Sequence, residues 1–130
     1  LMTANITPSA TSSKIFILVH MNHGTTNTAS GGNFYGHGIV KRGSTAVGVG
    51  NSAGNAAQQV GWSISNENGY TKTANSSWNY LDSPNSTSSL TYQVALWGSS
   101  IITFNRNGED ISSASNGRTS SSITLIEIGA

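Results

Sequence analysis

Leu90-Thr91-Tyr92-Gln93-Val94-Ala95-Leu96-Trp97 decides the fold class. In an extended chain Leu90, Tyr92, Val94 and Leu96 point to one side, and Thr91, Gln93, Ala95 and Trp97 to the other. That period of two belongs to a strand with one buried face. Working outward, the same reading picks out Met2 to Thr7, Lys14 to Asn22, Phe34 to Lys41, Thr45 to Gly50, Gln58 to Ser65, Ser77 to Leu81, Ile101 to Asn105 and Ser121 to Ile128. Breakers separate them: Thr7-Pro8-Ser9, Arg42-Gly43-Ser44 as a tight hairpin, Asp82 to Ser89 around Pro84, and Asn107-Gly108 and Asn116-Gly117 about a longer loop from Gly108 to Ser120. No window offers a helical apolar stripe of useful length, and good helix formers are sparse. The expectation is one all-β domain over residues 1–130, an antiparallel β-sandwich.

Composition limits function. Charged residues are 8% of the chain and the net charge is +1, with no basic stripe of the kind that binds nucleic acid or an anionic membrane. Ser, Thr and Asn fill about 50 of the 130 positions, so hydroxyls and amides stand where charges usually coat a surface. The absence of cysteine excludes disulfides, thiol catalysis and Cys-based zinc sites. The longest apolar stretch, Ile15 to Val19, is too short to span a bilayer, so no membrane insertion is expected. The start has no signal-peptide pattern and begins in mid-pattern, as the C-terminal part of a longer polypeptide would.

Two strands break the alternation. In Lys14 to Asn22, Ile15, Ile17, Val19 and Met21 share one face while Phe16 and Leu18 occupy the other. In Ser121 to Ile128, Ile123 and Leu125 face one way, and Ile126 and Ile128 the opposite way. A strand apolar on both faces is normally covered on both, and a two-layer sandwich covers only one. Phe16, Leu18, Ile123, Leu125, Ile126 and Ile128 are therefore expected at a subunit interface. The competing reading has the chain's own loops fold over that face.

Catalytic chemistry finds little support. His20, His23 and His37 form H-x-x-H plus a distant third. On a strand His20 and His23 point to opposite faces, unless Asn22-His23-Gly24 already ends it. They are read as structural or surface histidines, with a metal on a symmetry axis as the alternative. Glu109 and Asp110 are adjacent, and Glu67, Asp82 and Glu127 isolated, a poor basis for an acid and base pair. No serine lies in a G-x-S-x-G elbow and no glycine pattern matches a phosphate loop. The chain is read as non-enzymatic, with no cofactor and no resident metal. Recognition remains. Tyr35, His37, Trp78 and Tyr80, beside amides and hydroxyls, are the candidate ligand contacts, in a pattern suited to carbohydrate. The competing reading makes Trp62, Trp78 and Trp97 ordinary core residues.

Three segments carry a resemblance. Ile6-Thr7-Pro8-Ser9-Ala10-Thr11-Ser12-Ser13-Lys14-Ile15 is one. Tyr80-Leu81-Asp82-Ser83-Pro84, followed by Leu90-Thr91-Tyr92-Gln93-Val94, is the next. Ser121-Ser122-Ile123-Thr124-Leu125-Ile126-Glu127-Ile128-Gly129 is the last. In that order, over nearly the whole chain, they resemble C-terminal domains of fibre-like and other virion proteins of marine tailed phages, cyanophages in particular. The layout is also similar to the C1q and tumour-necrosis-factor jelly roll. Tyr92 to Leu96 corresponds to its Tyr-x-Val-x-Leu strand and Ser122 to Gly129 to its last strand. Leu125 departs from the aromatic or small residue preferred there. These resemblances imply a homotrimeric jelly roll, with the final strand and the Lys14 to Asn22 strand together in the sheet facing the three-fold axis. They also imply a virion structural and adhesion role: a knob on a tail or head fibre, on the particle surface, contacting other virion proteins and a host glycan. A capsid decoration or cement protein and a secreted lectin-like module are the alternatives.

Overall fold

The computed structural model describes residues 2–25, 35–54, 59, 63–65, 73–98, 101–109, 111–114 and 116–129. Among the described residues nine strands follow in chain order: β1 Met2–Ile6, β2 Lys14–Thr25, β3 Tyr35–Arg42, β4 Thr45–Val47, β5 Ser63–Ser65, β6 Ala74–Asp82, β7 Leu90–Gly98, β8 Ile102–Phe104 and β9 Ser122–Ile128. Each coincides with a segment that alternation singled out. No described helix is long and apolar enough to cross a membrane. The predicted Gln58 to Ser65 strand lies partly outside the described residues, as does Trp62.

The strands form two antiparallel sheets. The first runs β1-β7-β3-β4, with β5 beside the other end of β3. The second is built on β2, with β6 along one edge and both β9 and β8 along the other. β9 pairs with β2 from Lys14↔Ile128 to His20↔Ser122, and β8 continues from His23↔Phe104 to Thr25↔Ile102. The expected adjacency of the final strand and the Lys14 to Asn22 strand is thus present. Ile15, Ile17, Val19 and Met21 of β2 close against Val40, Val47, Tyr92 and Val94 of the first sheet to make the core. The result is an all-β, sandwich-like architecture in which alternate residues of each strand fill the interior.

Boundaries moved where backbone geometry or pairing overrode composition. β4 ends at Val47 because Gly48 takes a φ of +62°, a left-handed conformation that takes the chain out of the sheet. The hairpin before it, from β3 into β4, places Gly43 (φ 58°) at the first central position, where a side chain would be strained. β2 runs on through His23 and Gly24 to Thr25 because β8 supplies pairing partners beyond the start of β9. His20 and His23 consequently face opposite sides, which removes the shared metal that an early strand end would have allowed.

Polar groups tie distant segments together. Arg42 of β3 donates from Nη1 to Asp82 Oδ2 of β6 at 2.5 Å, and the Tyr92 hydroxyl of β7 donates to the same oxygen at 2.7 Å. This three-residue link joins the two sheets. Burial first, and then the Asp82 carboxylate, push the Tyr92 phenol well above its ordinary range, so it remains a donor. At the surface, Glu127 Oε1 of β9 accepts from Ser9 N (2.7 Å) and Ser9 Oγ (2.6 Å), pinning the connection between β1 and β2 to the last strand. The Ser9 hydroxyl hydrogen bond holds the Glu127 carboxyl below the usual carboxylate range.

His23 is buried on the inner face, its Nε2 3.1 Å from Ser76 Oγ, and burial lowers its pKa from 6.5. The unfolded chain therefore takes up the proton first as pH falls through about 6.5, and stability drops with it. Thermal or urea unfolding between pH 7.5 and pH 5 is expected to show this loss, limited to about 1.4 kcal/mol per pH unit for one proton. His23→Gln should reduce the slope. An unchanged slope in that variant would assign the dependence to another group.

Candidate interaction surfaces

Strand parity sorts the exposed side chains into two broad faces. On the outer face of the second sheet, register places Leu81, Phe16 and Ile126 in one row across β6, β2 and β9. Asn79, Leu18 and Thr124 form the next row, and Ser77, His20 and Ser122 the one after. Lys14 and Ile128 pair at the other end. Leu18 is 38% exposed, Leu81 44%, Ile126 43% and Ile128 44%, while Phe16 is half-buried. Among the described residues, four of these five apolar side chains are exposed and Phe16 is partly so. The polar row is internally bonded: His20 Nδ1 lies 3.2 Å from Ser77 Oγ, and Asn22 Nδ2 donates to Ser120 O at 2.5 Å.

The expected interface set therefore divides. Phe16, Leu18, Ile126 and Ile128 lie on this face. Ile123 and Leu125 do not, since they turn inward and pack against the core, as period two demands of their parity. Leu81 joins the face although the sequence reading passed over it. Its signal was available, because Leu81 has opposite parity to Trp78, Tyr80 and the buried Asp82.

The four candidate ligand contacts separate in the same way. Trp78 and Tyr80 lie within β6 on its inner side, their rings stacked at 5.7 Å with 12° between planes, over the backbone of Gly48. Trp78 packs against the core, as the competing reading held, and Tyr80 remains 39% exposed at the open edge. His37 instead lies on the outer face of the first sheet, and Tyr35 occupies the same strand two residues away, paired with Ser65. Tyr35 and His37 thus stand apart from Trp78 and Tyr80, and no one site unites the four. The expectation that Trp97 is a core residue is overturned: it is 46% exposed beside His37. Its side chain has the parity of Thr91, Gln93 and Ala95, which all face outward.

A third feature is the loop after β8. An Arg106↔Arg118 bridge closes its neck, and buried Asn107 donates to Asn116 Oδ1, whose Nδ2 donates to Ile111 O at 3.0 Å. Ile111, Ser112, Ser113, Asn116 and Arg118 line an open concavity of about 480 Å³ there. Among the described residues outside this loop, the carboxylates have structural partners: Asp82 binds Arg42 and Tyr92, and Glu127 binds Ser9. Among the described residues no group of three His, Cys, Asp or Glu could hold a metal ion.

No protein-family model, curated protein or solved structure matches this chain. The three surfaces described above are what the chain offers a partner. They are flat or shallow and rich in hydroxyls and amides, and one of them is apolar. An exposed apolar face of this kind marks a contact surface for another molecule.

Proposed function

We propose that this chain is a virion structural and adhesion domain, assembling as a homotrimeric knob of a phage tail or head fibre that contacts host-surface glycan. The observation that carries the reading is the apolar outer face of the second sheet, formed by Phe16, Leu18, Leu81, Ile126 and Ile128. Fully burying such a side chain contributes about 1.5–3 kcal/mol. With some two-fifths of four of them still exposed, roughly 1 kcal/mol each remains to be gained by covering the face. A second copy is an economical cover, because a symmetric assembly buries the same patch on every subunit.

The strand order supports the finer, jelly-roll form of the fold. β1-β7-β3-β4 lies over a β6-β2-β9 sheet, and the chain crosses between sheets from β1 to β2, β2 to β3, β5 to β6, β6 to β7 and β7 to β8. The likeness to phage fibre domains and to the C1q layout adds the trimeric form and the place on the virion surface. Fold analogy alone would not carry the function.

The double substitution Phe16→Ser and Leu18→Ser tests the assembly. Light scattering at micromolar concentration should give about three times the 13.5 kDa chain mass for the unmodified protein. The double variant should give the single-chain mass with its circular dichroism unchanged. A monomeric unmodified protein would sink the trimer, and a variant that stays trimeric would move the interface elsewhere. Labelling the domain on intact particles separates a fibre tip from a capsid decoration.

A further inference from the structure

We propose that Trp97 and His37, on the outer face of the first sheet, form a stacking platform for one pyranose of a short glycan, which then runs along β7 and β3 toward Gln93 and Lys41. The proposal deepens the adhesion reading by placing its ligand contact. It puts that contact away from the apolar face used for assembly.

Trp97 of β7 pairs with His37 of β3 and is 46% exposed although it lies within a strand. An exposed indole held by sheet pairing is pre-organised, so little side-chain freedom is lost when a ligand arrives. His37, its register partner, stands with its ring centroid 4.7 Å from the indole and tilted by 49°, and its Nδ1 donates to Gln59 Oε1. The imidazole thus props the indole in one orientation.

The surrounding chemistry selects a sugar over a protein. The C–H bonds on one face of a pyranose carry partial positive charge and meet the negative face of an indole, while its hydroxyls need donors and acceptors at the rim. Along the strands the rows after His37↔Trp97 are Ile39↔Ala95 and Lys41↔Gln93, with Thr3 beside Gln93. Two rows further along is about 13–14 Å at the rise of a strand, a length that a di- or trisaccharide spans. The rim offers an amide, a hydroxyl and an ammonium, and none of the described outer-face residues of β1, β3, β4 and β7 is a carboxylate. The larger set of exposed aliphatic side chains, which a protein partner would need as anchors, lies on the opposite sheet.

The test uses the assembled protein with methyl glycosides of glucose, galactose, mannose and N-acetylglucosamine, and a β-linked disaccharide of each. Saturation-transfer NMR and the indole N–H resonance of Trp97 report binding. At least one sugar should bind at millimolar concentration and shift that resonance. Trp97→Ala should weaken it tenfold or more, Trp97→Phe less, and His37→Ala several-fold, all with unchanged mass and unfolding midpoint. Absence of a shift across the panel, or undiminished binding by Trp97→Ala, overturns the platform. The Phe16 and Leu18 double variant separates the two readings. Sugar binding retained by its monomers supports a platform complete in one chain. A protein that trimerises and binds none of the sugars loses the platform but keeps the assembly.

Discussion

Asp82→Ala is expected to lower stability by about 3 kcal/mol, the largest effect of any single polar substitution among the described residues. Asp82 is 6% exposed, and its carboxylate serves two donors, Arg42 Nη1 from β3 and the hydroxyl of fully buried Tyr92 from β7. Removing it leaves both donors without their acceptor at the place where the two sheets meet. Breaking a buried ion pair costs about 3–5 kcal/mol. Arg42 keeps a quarter of its side chain in water, which reduces that share. The orphaned phenol adds about 1–3 kcal/mol, because water cannot reach it without opening the core. Tyr92→Phe removes one donor and leaves the pair intact, so about 1 kcal/mol is expected. Urea unfolding of the three proteins tests this. A loss below about 1 kcal/mol for Asp82→Ala would mean that Arg42 and Tyr92 find other partners, and that the link does not hold the sheets together.

Gly48→Ala should cost a comparable amount, about 3 kcal/mol, through space instead of charge. At φ +62° any side chain is strained, by about 1–2 kcal/mol. A methyl group there would stand 2.8 Å from Tyr80 Cγ and closer still to Trp78 Cζ2. The stacked pair must move or the loop after β4 must lift, and overpacking of this kind costs about 1–3 kcal/mol. Near-ultraviolet circular dichroism should lose part of its aromatic signal along with the stability. A variant as stable as the parent, with that signal intact, would show that the loop yields without disturbing the rings.

The fold was legible because the chain obeys one period almost throughout. Alternation at Leu90 to Trp97 and its neighbours located all nine strands, since an inward–outward pattern needs no knowledge of what lies across the core. Strand ends were less legible. β2 continues to Thr25 only because β8, some 80 residues later in the chain, offers it hydrogen bonds, and no local feature of Asn22-His23-Gly24 records that. The candidate sites were partly legible for the same reason. Parity separates Phe16 and Leu18 from Ile15 and Ile17, and it puts Trp97 on the face of Thr91, Gln93 and Ala95, opposite Tyr92 and Val94. General tryptophan statistics pointed the other way for Trp97, and parity proved the better guide.

By itself the sequence determined that this chain is a charge-poor, all-β domain with period-two strands, two of them apolar on both faces. Those properties follow from local chemistry: side-chain polarity, β-branching and the glycines that turn the chain. Only the tertiary structure decided which apolar face of the two doubly apolar strands meets the core and which row each residue joins. Pairing across the chain set Phe16 beside Leu81 and Ile126, and brought His37 to Trp97. It also gathered Arg42, Asp82 and Tyr92 around one carboxylate oxygen. Those contacts join residues 10 to 110 positions apart, and a sequence pattern does not encode which distant strand supplies the partner.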